Sequence, residues 1–351
     1  MGEYMITTTN SRVGQRKNQN IETLRGIAII ALVAFHVIGV SGSAGLNVPP
    51  DSVWRWFADS LGFIRMPLFT FLSGVVYAAY APMRSGMGRF VRSKARRLLL
   101  PMVCVGAIFL TVQSLAPGTN RDLLGEEPWF MWLILPVAHF WFLPALFWIF
   151  VLFALLDVRH LMDSARNLWT LLGLTVAASV LIGPLFDRNW LGFEGSLYLL
   201  PFFTFGVICA RLGWQRQALK WRLLSVAALA VAFTWIQLGL LGVVPAIAER
   251  HELGGILASF AALLAVFGFP FQVRALAWLG QFAYPIFLFH VFGSAGARIV
   301  LLRLGVEVTW IHFLTGVLLA LALGIVADKM FCRFNATNVV LLGNKLRPRH
   351  R

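Results

Sequence analysis

Charge is the scarcest property of this sequence: of 351 residues only 13% are Asp, Glu, Lys or Arg, against about 25% in an average soluble protein. So little charge cannot clothe a water-exposed surface, which excludes an ordinary soluble domain. Cysteine is nearly absent too. Cys104, Cys209 and Cys332 are odd in number, lie in or beside apolar runs and match no metal-ligand spacing, so neither a disulfide framework nor a zinc site is implied. Acidic residues are half as many as basic ones, 15 against 30, for a net charge of +15. The basic residues nevertheless form short clusters between apolar runs instead of one basic domain, which argues against nucleic acid as a partner. No Gly-rich nucleotide fingerprint follows a strand. Residues 1–20 lack a hydrophobic run with a small-residue cleavage site, so no removable signal peptide is expected and the first span is read as its own anchor.

What the sequence has is apolar length. Hydrophobic residues make up 59%, in runs of about 17 to 25, each able to cross roughly 30 Å of hydrocarbon. Apolar runs and polar breaks predict ten spans near 24–41, 60–81, 98–115, 138–156, 168–183, 196–211, 222–243, 253–270, 275–297 and 309–327. The expected fold class is an all-α integral membrane protein. A cytoplasmic tail (1–23), one polytopic domain (24–327) and a basic tail (328–351) complete the reading, with no clear internal repeat. Arg12, Arg16, Lys17, the run from Arg84 to Arg97 and the tail from Lys345 fall on the N-terminal side, while Arg55, Arg121, Arg188, Arg250, Arg298 and Arg303 fall on the other. Positive residues favour the cytoplasm, so both termini are expected there. Pro136 and Pro144 interrupt the stretch 128–150, suggesting a short interfacial or re-entrant helix before the fourth span. Trp129, Trp132 and Trp141 fit an aromatic belt. The "NAT" at Asn335 is placed in the cytoplasm and is set aside as a glycosylation site.

The first span raises a chemical question, because "LRGIAIIALVAFH" carries Arg25 and His36 through an otherwise oily helix. Eleven residues turn through about 1100°, leaving the two side chains about 20° apart on one face and roughly 16.5 Å apart along the axis. Ala28, Ile29, Leu32 and Gly39 on that stripe supply no charged partner, so one must come from another helix or a ligand. Arg25 reads as a positive-inside anchor or as an anion-binding group at a mouth. His36, near the middle, reads as a satisfied core histidine or as a group on a pathway.

An Arg, ten residues and a His at the start of a ten-span protein resembles the signature of the membrane acyltransferase-3 family. "MPLFTFLSG" (Met66 to Gly74) looks like that family's second-span motif, and "KARRLLLP" resembles the basic entry to its third span. "HFWFLPALF" (His139 to Phe147) is similar to its tryptophan-containing segment, while "LGQFAYPIFLFH" (Leu279 to His290) resembles its late span ending in histidine. The resemblance covers most of the chain, although Thr70 interrupts a phenylalanine-rich stretch and Ala283 stands where serine is common.

The resemblance implies about ten helices around a central tunnel, an acyl-CoA donor (acetyl-CoA above all) reached from the cytoplasm, and a hydroxyl acceptor on a sugar or glycan, lipid-linked or otherwise part of the envelope. His36 would be the general base, with a transiently acylated His36 as the less favoured variant, and neither route needs a metal. Arg25, Arg96 and Arg97 would hold the phosphates of coenzyme A, in a cytoplasmic patch with Arg92 and Lys94. Arg65 and Ser73, about 80° apart on the second span, are candidates for the tunnel wall. Arg65 reads equally as a snorkelling cation, and Ser73 with Gly74 reads more simply as helix packing. His139 and Trp141 could bind an acceptor near the outer surface or anchor the interface. Tyr284 and His290, beside a Pro285 expected to bend its helix, could face the pathway or tie two helices. The plasma (inner) membrane is the expected location, with a separate envelope partner conceivable for completing the transfer. A secondary transporter or channel with an intramembrane Arg and His is the rival reading. A membrane sensor comes third.

Overall fold

In a computed structural model of the chain, residues 19–116, 128, 130–246, 251–269 and 272–346 are described. All regular structure among them is helical, as expected for apolar segments whose backbone must satisfy itself within lipid. The α-helices are α1 (Gln19–Ile38), α2 (Val53–Ser60), α3 (Arg65–Ala79), α4 (Met87–Leu115), α5 (Phe142–Val158), α6 (Ala165–Leu181), α7 (Phe193–Arg211), α8 (Leu219–Leu240), α9 (Leu253–Gly268), α10 (Arg274–Gly280), α11 (Ala283–Arg303), α12 (Thr309–Phe331) and α13 (Asn335–Val340). Among the described residues nine segments are long and apolar enough to cross a bilayer: α1, α2 with α3, α4, α5, α6, α7, α8, α11 and α12. The remaining expected span, 253–270, is α9, with only 16 residues. At 1.5 Å per residue it reaches about 24 Å, short of a full hydrocarbon core.

Three boundaries differ from the sequence reading for identifiable reasons. Helix α4 starts at Met87, well before the expected 98, because its Arg and Lys residues are good helix formers and carry the turn geometry into the apolar run. The expected span 275–297 is split between α10 and α11 at Gln281 and Phe282, while Pro285 sits in the first turn of α11, where a missing N–H costs nothing. The bend therefore precedes the proline. In place of a re-entrant helix before α5 stand single 3-10 turns, Met131–Leu133 and Ala138–Trp141, separated by Pro136. Trp132 is buried, packing against Gly106, and so does not join an interfacial belt; Trp129 lies outside the described residues.

Lipid is as apolar as leucine, so helix association here relies on close packing and polar ties more than on the hydrophobic effect. Helices α3 and α7 meet through one glycine from each: a Cβ at Gly74 would strike the Phe203 carbonyl, and one at Gly206 the Phe71 carbonyl. Gly26 of α1 and Gly280 of α10 oppose each other in the same way, against Leu276 and Glu22. A buried polar knot joins α3, α5 and α7, where Tyr77 Oη donates to Asp157 at 2.6 Å and Arg211 Nη2 reaches both Asp157 oxygens at 2.8 Å. The chain after α12 turns back onto α4. Arg97 donates to the Leu342 carbonyl at 2.9 Å and to Asn344, and Arg96 donates to the Gly343 carbonyl at 3.3 Å.

Candidate active site

Helix α1 places both members of the opening motif. Near its end, His36 Nδ1 lies 2.9 Å from the Leu32 carbonyl. A carbonyl only accepts, so Nδ1 carries the proton and Nε2 keeps its lone pair. The helix then stops at Gly39, whose φ of +114° leaves the helical region. The Gly39 carbonyl is held by Arg55 Nη1 at 2.6 Å, and the same guanidinium chelates Asp59 at 2.7 and 2.9 Å.

Two other histidines, remote in sequence, meet His36. The His290 ring of α11 is centred 4.8 Å from that of His36, and the His139 ring, from the turn before α5, is 4.6 Å from His290 and 6.1 Å from His36. His290 repeats the device of His36: its Nδ1 donates to the carbonyls of Phe287 and Ile286, at 2.9 and 3.2 Å. Its Nε2 is buried without a protein hydrogen-bond partner. His139 is not an exposed interfacial anchor but 3% exposed among these rings, where the turn begun by Ala138, at φ +51°, folds it inward. No group of three or more His, Cys, Asp or Glu among the described residues is arranged to hold a metal ion.

Two cavities flank this cluster. One of about 350 Å³ is lined by Arg25, Lys94, Arg97, Ser73, Tyr77 and Tyr284. The other, about 990 Å³, is lined by His36, His139, Trp141, Arg65, Arg55 and Arg298, among others. Phe287 lines both, so the two chambers share one wall. The face shared by Arg25 and His36 thus runs from one chamber to the other.

The remaining site candidates divide between the chambers. Arg25 is paired with Glu22, one turn back on its own helix, at 2.8 Å. Arg97 lies 4.1 Å from the centre of the Tyr284 ring, whose hydroxyl donates to the Arg97 carbonyl. Arg96 points elsewhere, to Gly343, and does not line the cavity. Its place is taken by Lys94, whose Nζ stands 3.4 Å from the centre of the Phe150 ring. Helical spacing carried that signal, since Lys94 and Arg97 are three apart on one face while Arg96 is about 160° around from Lys94. Ser73 borders the smaller chamber, but its hydroxyl donates to the Phe69 carbonyl at 2.9 Å, the usual back-bond of a helical serine. Arg65 stands in the larger chamber, its guanidinium 3.4 Å from the centre of the Phe35 ring. The second-span pair therefore serves two different cavities.

The fold also assembles a Ser, His and Glu that spacing did not reveal. Ser179 Oγ is 3.1 Å from His251 Nδ1, and His251 Nε2 is 3.1 Å from Glu194. Ser179 is completely buried and borders neither chamber. A nucleophile needs access to substrate, so this chain of bonds ties α6, α7 and the start of α9 together.

A family model described as an acyltransferase domain matches residues 18–329. The chain belongs to the membrane acyltransferase-3 family. The match runs from the start of α1 nearly to the end of α12 and so includes both chambers and the histidine cluster. No curated protein and no solved structure matches the chain. Family membership makes this membrane protein an acyltransferase, which leaves the transporter reading without support. Within the acyltransferase, four of the five motifs that carried the resemblance converge: α1 and the start of α11 meet at the histidines, the tryptophan segment supplies His139 and Trp141, and the "KARR" entry supplies Lys94 and Arg97.

Proposed function

We propose that this acyltransferase moves an acyl group, acetyl above all, from cytoplasmic acyl-CoA to a hydroxyl of a sugar, glycan or other envelope compound in the plasma membrane. The observation that carries this reading is the pairing of chambers: a cationic one beside Arg25 and one holding the free lone pair of His36, with Phe287 as their common wall. Arg25, Lys94 and Arg97 suit the phosphates of coenzyme A, the two guanidiniums through forked hydrogen bonds and the ammonium as a point charge. The acyl arm would then extend past Phe287 toward the imidazoles.

The acceptor hydroxyl enters from the larger chamber. Its oxygen attacks the thioester carbonyl, forming the C–O bond while His36 Nε2 takes the hydroxyl proton. As the tetrahedral intermediate collapses, the C–S bond breaks, and His36 returns the proton to the departing thiolate, releasing free coenzyme A and the ester. The Leu32 carbonyl, bonded to Nδ1–H throughout, holds the tautomer that makes Nε2 the base. His290 and His139 support the ring edge-on. The test is direct. Purified protein incubated with isotopically labelled acetyl-CoA and a panel of glycans should yield an ester of matching mass, and its absence across the panel, with no coenzyme A released above background, would count against the reading.

A further inference from the structure

The larger chamber is built for more than a hydroxyl. Its wall carries Arg55, Arg65 and Arg298, and Asp59 is the sole carboxylate among its described lining residues. Asp59 is chelated by Arg55, and Arg65 and Arg298 bring two further guanidiniums into the wall. A guanidinium offers five N–H donors, so Arg65 and Arg298 can meet a bound anion alongside their contacts within the protein. Arg65 sits over the face of Phe35, whose ring is 5.2 Å from that of His36. Its charge is therefore held close to the base by stacking that a neutral side chain would not reproduce. Phe287 and Arg298 are eleven residues apart on α11, hence about 20° apart and roughly 16.5 Å along the axis. The wall runs from the partition between the chambers to a second cation at its far end, long enough for more than one sugar ring. Trp141 and Phe292 add aromatic faces of the kind on which sugars stack.

We propose that the acceptor is an anionic saccharide, bearing a carboxylate or a phosphate, whose charged group is held by Arg65 and Arg298 while a neighbouring hydroxyl faces His36. The inference rests on the acyl-transfer reading and deepens it by naming the class of acceptor. Carboxylate and phosphate share the chemistry of forked pairing with arginine, and a uronic acid unit or a phosphate-linked sugar would supply it.

The experiment uses the full chain in detergent or nanodiscs and three matched oligosaccharides: a neutral one, its uronate and its phosphate monoester. Binding is read from stabilisation against heat without donor, and transfer from labelled acetyl-CoA. The uronate, the phosphate or both should bind and react at least about tenfold better than the neutral sugar, as one charge-assisted contact gives; the better of the two identifies the source of the charge. In Arg65→Gln and Arg298→Gln the ratio of kcat/KM between acidic and neutral acceptors should collapse toward one, with Arg65→Lys restoring part of it and the unliganded melting temperature controlling for misfolding. Equal binding of neutral and acidic sugars would overturn the inference while leaving acyl transfer intact. So would a fall in kcat by the same factor on every acceptor, which would make Arg65 a stabiliser of the tetrahedral oxyanion. If no sugar is acylated, the reading of function fails, and the binding arm alone decides the charge preference.

Discussion

At the scale of single residues, the assignment of His36 follows from one hydrogen bond. Because Nδ1–H is committed to Leu32, the acceptor can lose its proton only to Nε2. His36→Ala should insert and fold nearly as the parent does, since an alanine sits easily in a helix, yet acyl transfer should fall by about a hundredfold or more, the range for losing a positioned base. Donor binding and thermal unfolding on the same purified variant separate chemistry from folding; near-normal turnover would return His36 to a packing role. The basic entry to α4 gives a sharper contrast. Lys94→Ala and Arg97→Ala should each raise KM for acyl-CoA by roughly tenfold, as loss of one charged contact does, and Arg25→Ala should do likewise, with Arg25→Lys retaining part of the affinity. Arg96→Ala should leave KM near the parent value, because Arg96 does not line the smaller chamber. A KM series in which Arg96 matters as much as Lys94 would refute the geometry of the smaller chamber.

At the scale of elements, the chambers depend on how closely α3 approaches α7. Gly206 faces the Phe71 carbonyl with no space for a methyl group, so Gly206→Ala must push α7 away from α3. Overpacking of this kind costs about 1–3 kcal/mol, and here the neighbour is backbone, which cannot rotate aside. The expected outcome is a lower melting temperature in detergent together with lost activity, whereas Gly173→Ala, on α6 with open space around it, should leave both unchanged. Equal melting temperatures for the two variants would show that the α3–α7 contact is not limiting. The same reasoning explains why "SG" at Ser73 and Gly74 reads more truly as packing than as chemistry: the hydroxyl bonds its own helix and the glycine admits the neighbouring one.

For the whole molecule, the distribution of Lys and Arg predicts a topology. Reporters fused after Arg16 and at Arg351 should both register as cytoplasmic, because the basic clusters fall on that side of the ten spans expected from the sequence. This tests α9 as well. Its 16 residues cross only if the bilayer thins or the helix ends snorkel, and reporters on opposite sides would mean that one expected span, with α9 the leading candidate, does not traverse.

The sequence alone determined the class of this protein, because lipid imposes a length and an apolarity that can be counted residue by residue. It determined the shared face of Arg25 and His36 for the same reason, since a helix has a fixed period. It did not determine which side chains meet across helices. Nothing in the spacing of His36, His139 and His290 brings three rings together; that required α10 to break from α11 before Pro285 and the turn at Ala138 to fold inward. Helical spacing, by contrast, already separates Lys94 from Arg96 and sets Glu22 one turn from Arg25. Periodicity is a property of one element and is legible locally. Partnership depends on how elements pack, and here that is set by glycines, buried polar knots and the ring of Phe287 standing between two chambers, all of which act only once the helices have assembled.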